Sequence, residues 1–469
     1  MNPTTRRAFL SQTGLGLGSA ALASLMGPTT AFASASNPQL PQFAAKAKRV
    51  IFLCMAGGPS HLETFDFKPD LNKLDGKPMP ESFTRGQPIA QLQGEELKVL
   101  GHQTAFRRYG RSGQLISDYL PWTAKMADDI AIVRSMVTEQ INHDPAHTFM
   151  NTGTAISGRP SMGSWVNYGL GSDSEDLPGF VVLTSVGGRN PQPIASRQWS
   201  SGFLPSRYQG VEFNGSGDPV HYVSNPKGVL PGQQAALVKA IGQLDRNRNQ
   251  TVHNPEIDTR IAAYEMAFRM QTSVPELTDV SSEPSSTFEL YGEDARKPGT
   301  YANNCLLARR LAERDVRFIQ LFHRGWDAHN NLPNVKKRQC GSTDQASAGL
   351  IQDLKQRGLL KDTLVIWGGE FGRTVYCQDE LTDKTYGRDH HPRCFSMFMA
   401  GGGSNPGMSY GETDDFSYNI AKDPVSVHDL HATILHMLGV DHKKLTYKFQ
   451  GRHYRLTDVH GKVIKPLLA

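Results

Sequence analysis

Six short apolar runs punctuate the chain: Val50 to Met55, Ile130 to Val133, Phe180 to Leu183, Val316 to Phe322, Leu364 to Trp367 and Phe395 to Met399. Each is continuous rather than alternating, the pattern of a strand covered on both faces. Helical spacing lies between them. Residues 301 to 314 set Leu307 and Leu311 one turn apart, and residues 344 to 357 do the same with Leu350 and Leu354 before Gly358 stops the helix. Strands alternating with helices predict an α/β fold: a mostly parallel sheet sandwiched by helices.

The stretch from about 186 to 300 breaks this rhythm. It carries "GGRNPQPIAS", "NGSGDP" and "SSEPSS", with helical segments near 233 to 247 and 256 to 272. The second segment repeats Ile257, Ile261, Tyr264 and Phe268 on one face. It reads as an inserted cap segment within a single domain spanning 36–469. Near the C-terminus, "DPVSVHDLHATILHMLG" has the pattern of a capped helix. Ser426 and Asp429 fit a capping box, Val427, Leu430, Ile434 and Leu438 form one face, and Gly439 ends it. Asp429 is then a cap, and His428 and His431 read as structural.

The N-terminus carries "TTRRAFLSQTGLGLGSAALASLMG" followed by "AFAS", where Ala31 and Ala33 fit an A-x-A cleavage site. Paired Arg6 and Arg7 ahead of Phe9 and Leu10 match the pattern of twin-arginine export. The apolar stretch is about a dozen residues, short of the roughly 18 that a spanning helix needs, and no later run reaches that length. A signal peptide over 1–35 is therefore expected, with the twin-arginine translocase as export partner. The mature chain would begin near Ser34 or Ser36, periplasmic or secreted, with no membrane in its mature form.

Net charge is +5, and losing Arg6 and Arg7 with the signal would leave about +3. With no long basic run, nucleic acid is excluded as a partner. Five cysteines, an odd number with no C-x-x-C spacing, argue against a disulfide framework.

The polar residues that follow the apolar runs carry the chemistry. The runs lead into "AGGPSHLETFD", "RSMVTEQINHDPAHTFMNTG", "HRGWDAHNN" and "GGEFGRT", and "GRDHHP" precedes the last of them. Ligands of open α/β sheets bind beyond the carboxyl ends of the strands. Separate strand ends thus send Asp327, His329, Glu370 and His390 toward one edge, with Asp389 and His391 beside them. Nitrogen and carboxylate donors without thiolate suit a divalent metal such as zinc, manganese or calcium. Two such ions about 4 Å apart would clamp a phosphoryl or sulfuryl group. A buried ion pair between Glu370 and Arg373, holding the loop, is the competing reading of those two residues.

The motifs "FLCMAGGPSHLETFD", "WGGEFGRT", "GRDHHP", "MAGGG", "YGETDDFSYNI", "VHDLHATILHMLG" and "LTYKFQGRHYRLTDVHG" together resemble the exported family catalogued as domain of unknown function 1501. That family is grouped with the sulfatases and the alkaline-phosphatase superfamily, and the resemblance runs over nearly the whole mature chain. It implies a mostly parallel sheet between helices with a dinuclear metal site at the strand ends. It also implies Glu370 at the acidic position of a metal motif, with Phe371 where a histidine is usual. Asp327 and His329 stand for a metal-binding Asp and His, one residue apart rather than three. His390 or His391 matches a late histidine ligand, and His143 falls near the start of the helix that usually carries the nucleophile.

The chain also departs from that pattern. It has no C-x-P-S-R site for formylglycine, and Gly57 and Gly58 stand where an Asp is usual, unless Asp66 substitutes. Ser60, Thr64 and Thr148 are the candidate hydroxyl nucleophiles. The resulting expectation is an exported metal-dependent hydrolase of sulfate or phosphate esters, without a formylglycine-type nucleophile, acting on a small-molecule or polysaccharide ester. Asp327, His329, Glu370 and His390 are the expected ligands, with His391 or Asp389 beside them. His143 or His147 would be a base or further ligand, and Arg373 or Arg388 would hold the substrate anion. The alternative is a non-catalytic protein that binds a polysaccharide or surface partner on the same fold.

Overall fold

The computed structural model describes residues 41–185, 191–215, 219–220, 231–381 and 386–469. The signal peptide and cleavage site expected over 1–35 lie outside these residues, as do 186–190, 216–218 and 221–230 of the expected insertion.

A nine-stranded sheet forms the centre. In chain order its strands begin with β1 (Arg49–Met55), β2 (Ile130–Val137), β3 (Phe180–Ser185), β4 (Val211–Phe213), β5 (Phe318–His323) and β6 (Thr363–Gly368). A separate antiparallel pair follows, β7 (Gly372–Gln378) with β8 (Gly387–His391). The sheet then resumes with β9 (Phe395–Ala400), β10 (Met408–Tyr410) and β11 (Val425–Ser426). Spatial order is β10-β2-β9-β6-β1-β5-β3-β4, and β11 also pairs with β2. All neighbours are parallel except β9, which runs against both β2 and β6. Cys54 of β1 is level with Phe322 of β5 and Gly368 of β6. Their carboxyl ends therefore reach one edge together. Because β9 is reversed, it starts at that same edge, and the His390–His391 segment before it arrives there too.

The continuous apolar runs follow from burial on both faces. Ile51, Leu53 and Met55 pack with Leu306 and Leu311 of α5 (Tyr301–Glu313) and with Leu350 and Leu354 of α6 (Leu332–Gln356). Val50, Phe52 and Cys54 pack on the opposite side. Their partners include Trp165 and Val166 of α2 (Met162–Leu170) and Leu430 and Ile434 of α7 (Val427–Met437). A further helix, α1 (His143–Thr152), follows β2 with Asn142 at its N-cap position and Gly153 in the left-handed conformation at its end. The capping box of α7 forms as its sequence predicts: the Ser426 side chain accepts from the Asp429 amide, and the Ser426 amide donates to the Asp429 carboxylate.

In the inserted stretch, α3 (Pro231–Val252) and α4 (Pro255–Thr278) are joined by Arg260–Asp245 at 2.5 Å and Arg246–Glu265 at 3.3 Å. Met270, Val274 and Leu277 anchor the end of α4 in the main core. All five cysteines are buried and free. Among the described residues no helix is long and apolar enough to cross a membrane.

Candidate metal centre

Glycines at the end of β1 let three loops meet. Gly57 has φ +120°, and a Cβ there would sit 2.4 Å from the Asp327 nitrogen, so only glycine lets the β1 loop pack on the β5 loop. The Gly57 amide donates to both Glu370 oxygens, at 3.0 and 3.2 Å. Arg373 donates to the Gly58 carbonyl at 3.0 Å, to the Gly57 carbonyl, to the Arg388 carbonyl at 3.1 Å and to Asp327 Oδ1 at 2.6 Å. Its guanidinium is buried and all three nitrogens bond within the protein.

Asp327 is ringed by imidazoles. Its Oδ1 lies 2.8 Å from His329 Nε2 and 3.3 Å from His390 Nε2, and its Oδ2 lies 3.3 Å from His143 Nε2. The other nitrogens of two rings are fixed by acceptors. His390 Nδ1 is 2.9 Å from the Ile141 carbonyl, and His329 Nδ1 is 2.6 Å from Gln378 Oε1. A carbonyl only accepts, so His390 carries its proton on Nδ1. Burial first, then the nearby Arg373 charge, pulls the His390 pKa down to about 4 despite Asp327, so the ring is neutral at pH 7. Its Nε2 is then a bare acceptor that faces a carboxylate oxygen. Together with Asp327 Oδ1, which also accepts from Arg373, it forms a pair of donor atoms that a metal could take. The Asp327 carboxyl itself is held well below the usual range: burial opposes its charge, but the Arg373 charge and then hydrogen bonds from His143 and His329 outweigh burial.

A second group lies behind the first. His143 opens α1 and His147 follows one turn later, so both rings stack on the same side of the helix, 6.2 Å apart. Both reach the fully buried Glu370: His143 Nδ1 at 2.7 Å and His147 Nε2 at 3.4 Å from Oε1. Burial opposes the Glu370 charge, yet His147 and His143 bring its pKa down to about 2. Burial lowers the His147 pKa, against the opposing pull of the Glu370 charge and of a side-chain hydrogen bond with Gln192. Cys54, close enough to feel Glu370, is no competing ligand: burial, then that charge, push its thiol up.

The donor atoms of His143, Asp327, His329 and His390 all lie within 4.8 Å of one another, and so do those of His143, His147 and Glu370. A tetrahedral ion with metal–nitrogen bonds of about 2.05 Å spaces its ligand atoms by about 3.3 Å. The 3.3 and 3.4 Å spacings match that value and the 2.7 and 2.8 Å ones are hydrogen-bond distances; three imidazoles and a carboxylate gathered within 4.8 Å are a donor set whose chemistry suits a metal.

Other candidates from the sequence lie elsewhere. His391 stacks on Tyr418, its Nε2 is 2.5 Å from the Tyr418 carbonyl, and it belongs to neither group. Asp389 accepts from the Gln91 and His390 amides. Arg388 grips Glu63 and four carbonyls. Asp66 bonds Thr413 and Ser417. The hydroxyls of Ser60, Thr64 and Thr148 donate to Glu63, the Ser60 carbonyl and the Asp144 carbonyl. His323 bridges Ser185 and Gln339 at 2.7 and 2.8 Å, and burial lowers its pKa to about 4. His428 and His431 bond the Gly153 and Met150 carbonyls at the end of α1, the structural role read from the sequence. Sequence reasoning did not single out Gln378, the Ile141 carbonyl or the Gly57 amide, which orient these candidate donors. Gln378 had one usable signal: it ends the strand that pairs with the His390 strand.

Phe371, at the position where the resemblance expects a histidine, packs against both the His143 and His390 rings, with centroids 4.9 and 4.7 Å away, while those two rings meet edge-on at 4.3 Å.

No curated protein matches the chain. Several solved structures do at low similarity. The lipoteichoic acid synthase LtaP from Listeria monocytogenes aligns over 90% of this chain and 77% of its own, with 11% identity and a TM-score of 0.35. The PsFucS1 sulfatase from Pseudoalteromonas sp. aligns over 84% and 68%, with 12% identity and a TM-score of 0.33. A TAB5 alkaline phosphatase mutant with Mg bound aligns over 84% and 99%, with 9% identity and a TM-score of 0.33. The family model described as "Protein of unknown function (DUF1501)" matches residues 47–468, nearly the full length, and the chain belongs to that family.

Proposed function

We propose that the chain is an exported, metal-dependent hydrolase of sulfate or phosphate esters, working in the periplasm or outside the cell. The observation that carries this reading is the bare Nε2 of His390 aimed at Asp327 Oδ1 beside His329 and His143. Asp327, His329, His390 and His143 would hold one divalent ion, with Glu370 and His147 as further donors. Three imidazoles around one carboxylate favour zinc or manganese over calcium, which prefers oxygen. Such an ion would supply Lewis-acid neutralisation of charge on the ester oxygens.

The protein's own groups set the rest. Ile141 and Gln378 fix the ring tautomers, and Arg373 and the Gly57 amide orient the two carboxylates. Arg373 therefore positions Asp327 rather than gripping substrate. The side chains of His329, His143 and Asp327 keep 20%, 14% and 10% of their surface open, which marks the side from which an ester enters. The hydroxyls of Ser60, Thr64 and Thr148 are engaged inside the fold, which favours water as the attacking group.

Turnover of aryl sulfate and aryl phosphate esters by the zinc- or manganese-loaded protein tests this. In Asp327→Asn and Glu370→Gln, kcat/KM should fall about 100-fold or more with the fold intact. Equal turnover in both variants would remove the assignment. The engaged hydroxyls also favour a second reading, a polysaccharide-binding protein on the same fold. Saturable binding of sulfated polysaccharide without any ester turnover would select it.

A further inference from the structure

Every residue of β2 is buried except Arg134 and the last one, Val137. An arginine within a covered strand ordinarily comes with a partner for its charge. Arg134 comes without one: its side chain makes no ion pair or hydrogen bond with the described residues, and its Nε is buried and unpartnered. It lines a cavity of about 280 Å³ together with Arg108, Ser112, Gly113, Gln114 and Ser409. The cavity lies where a hairpin of Phe106–Tyr109 and Gln114–Ser117 meets the outer flank of the sheet, beside β10, its last strand. No residue of the two donor groups takes part in it.

The charge around this cavity is one-sided. Of the hairpin arginines, Arg107 pairs with Asp118 at 3.1 Å and Arg111 lies 3.9 Å from Asp128, but Arg108 reaches only the Gly113 carbonyl, at 3.0 Å. The Asp128 carboxylate accepts from the Arg111 and Ser112 amides at 2.9 and 2.8 Å and pairs with neither cavity arginine. The rest of the wall is neutral and satisfied. Ser409 donates to Gln114 at 3.0 Å, and Gln114 donates to the Ala127 and Ile130 carbonyls. Gly113 has φ +68°, and a Cβ there would meet nothing within 4 Å, so the turn leaves the space open.

We propose that this cavity is a binding site, separate from the metal centre, for a tetrahedral oxyanion, sulfate or phosphate, held between Arg134 and Arg108. A buried guanidinium nitrogen without a partner costs free energy, and the planar fork of arginine matches the oxygens of a sulfuryl or phosphoryl group. Anchored in a sheet strand, Arg134 presents that fork in a fixed place, and the exposed Arg108 closes on the anion from the hairpin. The volume falls just under the roughly 300 Å³ at which small-molecule sites begin, so it takes an oxyanion with little attached, free or as the monoester of one sugar. The proposal uses no residue of the metal-centre reading and stands or falls without it.

The test is equilibrium dialysis of the full chain against inorganic sulfate, inorganic phosphate and glucose 6-phosphate in turn, at fixed ionic strength in chloride because screening weakens exposed charge. The expected result is one saturable equivalent that persists in Asp327→Asn and in Arg107→Gln, whose arginine lies outside the cavity. Its affinity should fall about tenfold or more in Arg134→Gln and in Arg108→Gln. Circular dichroism reports folding, and the surface position of Arg108 keeps the test decisive if Arg134→Gln does not fold. Tighter binding of the sugar ester than of inorganic phosphate would support the site and name a monoester as its ligand; the reverse order would support it with the free ion. Absence of any equivalent that persists in Asp327→Asn would overturn the proposal, and so would parent-like affinity in the folded arginine variants.

Discussion

The Gly57 amide donates to both oxygens of Glu370 while its carbonyl accepts from Arg373, which in turn holds Asp327. One residue thus ties both carboxylates to the end of β1. Gly57→Ala places a methyl against the Asp327 nitrogen and forces φ +120° on a residue that resists it. We expect a loss of more than about 2 kcal/mol in chemical denaturation, together with weaker metal uptake. His323 gives a cleaner electrostatic test because it lies outside both candidate donor groups. Its folded pKa is lowered to about 4 by burial, while an unfolded histidine titrates near about 6.5. Between these values the unfolded chain binds the extra proton, so stability is full above about pH 6.5 and falls as pH drops toward 4. The contribution is on the order of 3 kcal/mol. A His323→Gln variant should show a flatter urea midpoint between pH 7 and 4 than the parent; an unchanged slope would contradict the assignment.

At the scale of elements, the strand ends were legible and one helix was half legible. All six apolar runs became strands of the central sheet, because a strand covered on both faces carries its signal in every residue. Helix α6 was read only from residue 344, although it starts at Leu332. Its first half hides because polar side chains face inward there. Gln339 is buried against His323, and Lys336 is buried 4.9 Å from the Trp326 ring centre, so hydropathy reports nothing. The gathering of the candidate site residues at one edge was legible to the same degree. Asp327, His329, Glu370 and His390 follow or precede strands, and topology brings such residues to one edge. His391 could not be separated from His390 in sequence; on β8 successive side chains point to opposite faces, and His391 turns to Tyr418. The capping box makes a prediction of its own. Ser426→Ala removes a bond to the Asp429 amide and should cost about 1 kcal/mol, read as a lower thermal midpoint with metal content unchanged.

Across the whole molecule, one sheet edge collects donors from the β1 loop, the start of α1, and the segments after β5, after β6 and along β8. The reversed β9 is what allows the β8 histidine to join them. Separations of 184 or more residues along the chain lie between His143 and its carboxylates, so the centre exists only once the sheet has closed. Metal binding should therefore stabilise the folded chain, by about 2.7 kcal/mol at a free-ion concentration 100 times Kd. The central claim is that this edge holds a metal, and the most direct measurement is the metal content of the untagged protein by mass spectrometry. The account predicts at least one equivalent of zinc or manganese, lost in Asp327→Asn while circular dichroism stays unchanged. A protein that emerges metal-free and gains no thermal stability with added Zn²⁺ or Mn²⁺ would contradict it.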